Sequence, residues 1–550
     1  MAFWAVCSYA DKLPKNVTSA CQSVASVLTY RNGALLLNGT AVFVDNGGDL
    51  LSTYSLFAGA DSAVVIDSKG VVRPVVNIVG VNEIFDCIRL RVAADKKMKP
   101  LLVSGMPVNV GESLYILGYG VGKGGFVEQV RVERVDSAYN CAYYTLDKPM
   151  EKRFLSLPLV NGNGEFVAFM QQAAADDTKN SYAVGASLFS NLNVSVQFYG
   201  RGYYPSMGIR TALPKNREDA LSCLYMQTII GDSASYGAII DDFISAFPSS
   251  YEGYLAKAEY EAVMLGNINS AEVSWNKALK LADKPAEVHF GKAKVINTIV
   301  QGGKKVSHHA ISFENAISEI DKAIAIDNQP LYISGKADMF YSHGDYAAAA
   351  DCYASLASTD LRSAENFARA SQCYSAVSEY DKSVAMLDSA VNCFDDASIE
   401  SAAPYILTRA LVNATAKKYR KAVFDYNKYE EIMGGTLGAD FYYLREQAEL
   451  NAKMYQQALN DIDTAIDLDP QNVGYYIEKG LLCYRVKLSD EGIRTLDEAL
   501  KIAPSVSDIH YLLGRLYMQK DDKTRAVPYL KKAVELGHPS AGDVLKQMGN

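Results

Sequence analysis

Two hydropathy patterns divide this chain. Up to about Val196, apolar and polar residues alternate in short runs separated by turns rich in Gly, Asn and Asp, the period-two signature of strands with one buried face. The runs are "ALLLNGTAVFVD", "SAVVIDS", "VVRPVVNIVGV", "DCIRLRVA", "SLYILGY", "FVEQVRVERV", "CAYYTL" and "EFVAFMQQ". So many short strands at close spacing predict a barrel or a sandwich. "QFYGRGYYPSMGIRTALPKN" then breaks any period with Gly and Pro, and a linker is expected over 197–213. Beyond it the apolar positions follow a helical period almost to the C-terminus.

The helical part repeats. Aligned on the small residue that opens the core face of each second helix, Ala349 and Ser383 are 34 apart, as are Ala458 and Gly492, and Gly492 and Ala526. A 34-residue period of paired helices is a repeat signature. "GDYAAAADCYASLA", "SEYDKSVAMLDSAV", "KKYRKAVFDYNKY", "KMYQQALNDIDTAI" and "NSAEVSWNKALKLA" restate one second helix, and "AISFENAISEIDKAIAID" is another copy. Gly or Ala at the crossing lets two helices approach, and Tyr and Leu nearby fill the flanking space. The last unit, Ser507 to Ser540, carries Leu513-Gly514, Tyr517, Ala526, Leu530, Ala533 and Pro539. With these residues the chain resembles the tetratricopeptide-repeat family from about 214 to 550, in about nine units.

That resemblance implies stacked helix pairs with a long concave surface and a protein or peptide partner. Carried over position by position, the groove lining would be Asp338, Tyr341, Gln372, Tyr443, Gln447, Asn451, Tyr484, Arg485, Tyr511 and Arg515. The set is rich in aromatic and amide groups, suited to extended backbone. It lacks the Lys/Asn constellation with which some such repeats clamp a C-terminal carboxylate. For each residue the alternative is an ordinary solvated helix face.

The N-terminal region raises a different question. "NGTAVFVDNGGDLLSTYSLF", "VNEIFDCIRLRV", "VGESLYILGYGVGKGGFVEQVRVERV", "FLSLPLVNGNGEFVAFM" and "SYAVGAS" follow one another in the order of a trypsin-like, HtrA-type peptidase fold, which the chain resembles over about 20–196. In that family the short turn after "DLLSTYSLF" carries the catalytic histidine; here Ser55 stands there. Asp86 takes the aspartate position. The nucleophile loop, normally Gly-x-Ser-Gly-x-Pro-Leu, reads Arg153-Phe154-Leu155-Ser156-Leu157-Pro158-Leu159, which puts Leu155 at the nucleophile and Arg153 at the oxyanion-hole glycine.

A slipped alignment with Ser156 as nucleophile meets an obstacle of composition. The six histidines begin at His289, and a serine hydroxyl is a poor nucleophile until a neighbouring base takes its proton. A Ser-Lys dyad using Lys148 or Lys152 is the formal escape. The expectation is therefore a pseudoprotease barrel, without catalytic residues, ahead of a binding solenoid; the alternative is a serine-type peptidase with an unconventional catalytic set, its repeats recruiting substrate.

Composition trims the remaining classes. The formal net charge of −9 and the lack of a dense Lys/Arg stripe argue against nucleic acid as partner. No apolar run is long enough for a membrane span, which takes about 20 residues. The start, "MAFWAVCSYA", has small residues before a possible cleavage after Ala10 and reads as a truncated secretory signal within a lead-in of residues 1–19, giving an exported protein of the periplasm or envelope. An apolar strand of a cytosolic protein is the alternative, and a lipid-bearing Cys7 a third. The nine cysteines include no Cys-x-x-Cys pair; Cys352, Cys373 and Cys483 sit at helical core spacing. "GYGVGKGG", Gly118 to Gly125, precedes a strand rather than a helix and so reads as a hairpin instead of a phosphate loop. His308-His309 lacks carboxylate partners, and no metal or other cofactor is expected.

Overall fold

The computed structural model describes residues 13–93, 98–121, 125–138, 141–149, 151–171, 179–190, 192–193, 207–230, 233–302, 308–435 and 437–549. The expected signal stretch, with Cys7, lies outside them, as do residues 197–206 of the expected linker. The chain divides into two compact units, 1–282 and 283–550.

The first unit opens with a short helix α1 (Lys15–Ala20) and twelve strands. β1 (Val24–Arg31), β2 (Ala34–Phe43), β3 (Asp49–Ser52), β4 (Ser62–Ile66), β5 (Val72–Asn82) and β6 (Cys87–Val92) close into an antiparallel barrel in the order β1-β2-β3-β6-β5-β4. β7 (Ser113–Leu117), β8 (Val127–Ala138), β9 (Cys141–Leu146), β10 (Pro158–Val160), β11 (Phe166–Gln171) and β12 (Ser181–Gly185) form a second barrel with the same connectivity, β10-β11-β12-β9-β8-β7. Two six-stranded barrels of identical topology are the trypsin-like layout that the strand order implied.

Alternation drives this part. Along β1 every second residue, Ala25, Val27 and Thr29, turns inward, and Val27, Phe43, Leu50, Ile78 and Leu90 fill the first barrel. Leu114, Ile116, Val130, Tyr144 and Leu159 fill the second. A third cluster, with Leu51, Cys87, Leu117, Phe166, Phe169 and Phe189 of helix α2 (Ala186–Ser190), seals the two barrels together. Met207–Ala212, within the expected linker, is bound to the first barrel: Ile78 N–H donates to the Arg210 carbonyl at 2.8 Å, and Ala212 N–H to the Ile78 carbonyl at 2.7 Å.

Helices follow in nine pairs among the described residues. α3 (Arg217–Ile230) with α4 (Ser233–Ala246), and α5 (Tyr251–Glu259) with α6 (Ile268–Leu281), belong to the first unit. The second holds α7 (Pro285–Gln301) with α8 (Phe313–Ile326), α9 (Pro330–His343) with α10 (Tyr346–Ser355), α11 (Ala364–Ala376) with α12 (Tyr380–Val391), and α13 (Ala403–Thr415) with α14 (Tyr419–Met433). α15 (Ala439–Asn451) with α16 (Tyr455–Leu468), α17 (Val473–Val486) with α18 (Ser489–Ile502), α19 (Ser507–Gln519) with α20 (Lys523–Glu535), and a terminal α21 (Ala541–Gln547) complete it. Where helices of adjacent pairs touch beyond their immediate neighbour, first helix meets first helix, α7 with α9 and α17 with α19. The first helices therefore take the inner, shorter side of the stack.

The crossings work as the period requires. Ala349, Ser383, Ala458 and Ala526 are fully buried, and a β-carbon on Gly480 would lie 2.7 Å from Leu496. Cys373 and Cys483 are buried and Cys352 half-buried, small apolar fillers as their spacing implied. No described helix is long and apolar enough to cross a membrane.

Ala499, wholly buried in α18, offers the sharpest check of this packing. Ala499→Asp places a charge among Tyr476, Leu496 and Leu513 and is expected to lower stability by roughly 3–5 kcal/mol, read as earlier urea unfolding of the C-terminal repeats. An unchanged midpoint contradicts the assigned core.

Candidate functional site

Two places hold the residues singled out by sequence. The first is the junction between the barrels. β3 runs into a 3₁₀ turn, Tyr54–Leu56, that presents Ser55, while Asp86 sits at the head of β6 in left-handed backbone (φ 51°). They meet. Ser55 donates twice to the Asp86 carboxylate, its N–H to Oδ1 at 2.6 Å and its Oγ to Oδ2 at 3.0 Å. Burial raises the Asp86 carboxyl against the pull of these bonds. At the position that the resemblance gave to the catalytic aspartate, the carboxylate is therefore bonded to a serine hydroxyl.

The loop from the second barrel brings Leu155, half-buried, and Ser156 to the same junction. Ser156, at the position the resemblance implied for a glycine, has left-handed backbone, φ 62°. Its hydroxyl accepts from Thr53 Oγ1 at 2.9 Å, and its carbonyl accepts from Thr40 Oγ1. Thr40 and Thr53 thus tie the loop to the first barrel, a role that sequence reading missed because isolated threonines carry no spacing signal. Arg153 points away: it pairs with Glu151 and Glu128 and lies over the rings of Phe126 and Phe154 at 5.6 and 4.8 Å. Lys148 is engaged by Glu128 at 2.8 Å; the Lys152 side chain is outside the described residues.

The second place is the first-helix face of the solenoid, where the groove candidates fall into three groups. On α9 and α11, Gln372 donates to the Tyr341 hydroxyl at 3.2 Å, and exposed Asp338 pairs with Arg369 at 3.1 Å. On α15, half-buried Tyr443 lies 5.4 Å from the Tyr475 ring, and Asn451 donates to the Gln447 carbonyl at 2.7 Å. On α17 and α19, Arg515 donates to the hydroxyls of Tyr511, at 2.8 Å, and Tyr484. Its guanidinium also lies over both rings, at 5.7 and 5.0 Å, a geometry that holds a cation firmly. Arg485 is exposed beside them.

Beneath these residues runs a feature that the repeat pattern hides. Arg409 and Asp425, on α13 and α14, form a buried pair at 2.6 Å, and Arg445 and Asp461 repeat it on α15 and α16, also at 2.6 Å and also 16 residues apart. Lys292 and Lys322 serve Glu319 on α7 and α8. The recurring spacing was legible, but a core expected to be aliphatic gave no reason to look for it. α15 adds two acids that form no ion pair among the described residues: Glu446 is fully buried and Glu449 nearly so, and one oxygen of each has no hydrogen-bond donor among them. Burial, then repulsion from Glu478, pushes Glu446 up to about 7; burial, then Asp461, pushes Glu449 up to about 8.

Fold and sites together define a tetratricopeptide-type solenoid joined to a trypsin-like double barrel. Residues 507–536 match the family model for the tetratricopeptide repeat. Over 99 residues the chain is 28% identical to the mitochondrial import receptor subunit TOM70 of Rattus norvegicus and, equally, of Homo sapiens, a match covering 18% of this chain and about a sixth of those receptors' length. Among solved structures, the serine endoprotease from Yersinia pestis is similar at 17% identity and a TM-score of 0.29, covering 33% of this chain and 65% of that one. The Rv3671c protease from M. tuberculosis in its active form is similar at 19% identity and 0.29, covering 35% and 90%.

The two raised carboxyls fix a pH dependence. Each binds its proton more tightly in the folded repeat than in the unfolded chain, where the ordinary value is 4.5. Their contribution is therefore complete in acid and is lost as pH climbs through about 7 and about 8, since stability falls wherever the folded state holds more protons. Thermal melts of the wild type are expected to shift downward from about pH 5 to pH 8, and Glu446→Gln/Glu449→Gln to flatten that slope. Parallel slopes in the two proteins contradict the assignment.

Proposed function

We propose that this protein is a non-catalytic interaction scaffold whose solenoid holds a protein or peptide partner along its first-helix face, and whose barrel is a pseudoprotease. The observation that carries the catalytic half is the Ser55–Asp86 pair: the acid position is filled by a bond to a hydroxyl, where a base would be needed. Ser156 has only hydroxyl company, through Thr53, and no histidine precedes residue 289. A serine so placed has nothing to accept its proton. The repeat architecture and the 28% identity to import receptors over 99 residues support the binding half.

On this reading the rings and amides of the inner face supply contact area at low entropic cost, and the Tyr484–Arg515–Tyr511 group presents a pre-oriented fork to a partner's backbone carbonyls or carboxylates. The barrel junction, tied by Thr40, Thr53 and Ser156, braces the loop.

Two expectations follow from these placements. Ser156→Ala leaves turnover of any peptidase substrate panel unchanged; a large loss of turnover establishes an enzyme instead. With a partner captured by crosslinking from the native cell, Tyr443→Ala and Tyr484→Ala each weaken its binding by roughly 1–3 kcal/mol, measured by titration on variants with wild-type circular dichroism. Wild-type affinity in both moves the binding site off this face.

A further inference from the structure

One edge of the solenoid carries an open cationic pocket at the turns that follow the first helices; of the first-helix-face candidates, Asn451 at the end of α15 reaches it. After the first helix of successive pairs, the chain passes through a left-handed residue: Lys417 (φ 60°), Lys453 (φ 63°) and Lys487 (φ 64°). The same turn is made by Ser378 one pair earlier and Asp521 one pair later. Three consecutive repeats thus set a lysine at one equivalent point. Lys417 and Lys453 line a cavity of about 430 Å³ together with Lys418, Arg420 and Lys421.

The backbone adds to this charge. The cavity lies at the start of α14 and beside the start of α16, and neither helix has an acidic residue in its first turn or a side-chain cap. By contrast α10 and α20 are capped by Asp345 and Asp522. Uncapped first turns leave N–H donors and the positive end of the helix facing outward. Among the described residues Lys417, Arg420, Lys421 and Lys453 form no ion pair, and Asp381 pairs only with Lys418 of this group. Four cations without an ion pair, beside one pair to Asp381, concentrate positive potential in a chain of net charge −9 and favour entry of a further anion.

The patch is also short. On one side Glu379 and Asp381 head α12; on the other Asp490 and Glu491 occupy the first turn of α18. A nucleic-acid strand or an anionic bilayer would run from the lysines onto these acids, whereas a short anionic segment would not. We propose that this cavity docks an acidic segment of a protein partner, whose Asp and Glu carboxylates engage Lys417, Lys453 and the Arg420–Lys421 turn. The proposal rests on the reading that the repeats hold a protein.

The test titrates the full chain with a fluorescein-labelled octapeptide of alternating Asp and Glu, followed by anisotropy. Lys417→Glu/Lys453→Glu and Arg420→Glu/Lys421→Glu are each expected to weaken binding at least about tenfold. Lys523→Glu/Lys531→Glu, the same charge change at exposed positions away from the cavity, is expected to cost less than about twofold. All four cavity positions are solvent-exposed, and the second pair lies in regular helix, so it carries the test should the left-handed positions disturb folding. Equal losses in control and cavity variants overturn the site, as does unaltered binding in the cavity variants. Tighter binding of a single-stranded oligonucleotide of equal charge overturns the choice of a protein segment. Tyr443→Ala serves as the separating arm: it leaves octapeptide binding intact, so failure at the cavity and failure at the first-helix face read out independently.

Discussion

Close approach of paired helices is the constraint on which the solenoid depends. A helix pair has one apolar face and no partner of its own for it, so each pair must be covered by the next. That covering works only if the two helices of a pair come close, and closeness requires a residue with almost no side chain at the crossing. Ala349, Ser383, Ala458 and Ala526 are fully buried for this reason, and Leu496 and Leu530 pack where a β-carbon on Gly480 or Gly514 would otherwise stand. The surfaces that can bind are those the crossing leaves free: the inner faces of the first helices and the turns at their ends.

This constraint was legible in sequence because it recurs. The 34-residue step between small residues marked five of the crossings and the recurring second-helix segments marked the other repeats, while strand alternation predicted a barrel or a sandwich and the resemblance to the trypsin-like fold implied the two barrels. The ionic interior was not read. At Glu446 and Glu449 the chain puts charge into positions that the next repeat fills with Gly480 and Cys483, and hydropathy alone takes such residues for a solvated face. Arg409–Asp425 and Arg445–Asp461 are instead internal, each charge matched across the pair, with Glu446 and Glu449 left over. A buried matched pair adds little net stability compared with an apolar pair, yet it strongly penalises loss of either partner. The carboxyls of α15 thus add a pH-dependent element to the packing of these repeats.

The junction between the barrels shows the same distinction between position and chemistry. Order of elements singled out Ser55, Asp86 and Leu155, with Ser156 as the slipped alternative; Ser55 and Asp86 are hydrogen-bonded to each other, and Ser156 bonds to Thr53 of the first barrel. What could not be read was their company: Thr40 and Thr53 come from strands and turns that carry no motif, and they occupy the hydrogen bonds of the Ser156 loop. These bonds tie the Ser156 loop to the first barrel.

The central claim is that the barrel no longer cuts. It is tested most directly by treating the full-length chain with a fluorophosphonate probe and reading the intact mass, since the probe reports an activated serine without knowledge of substrate. The account predicts no adduct. A stoichiometric adduct mapping to Ser156 would contradict it, and would make the Ser55–Asp86 pair part of an unconventional catalytic set.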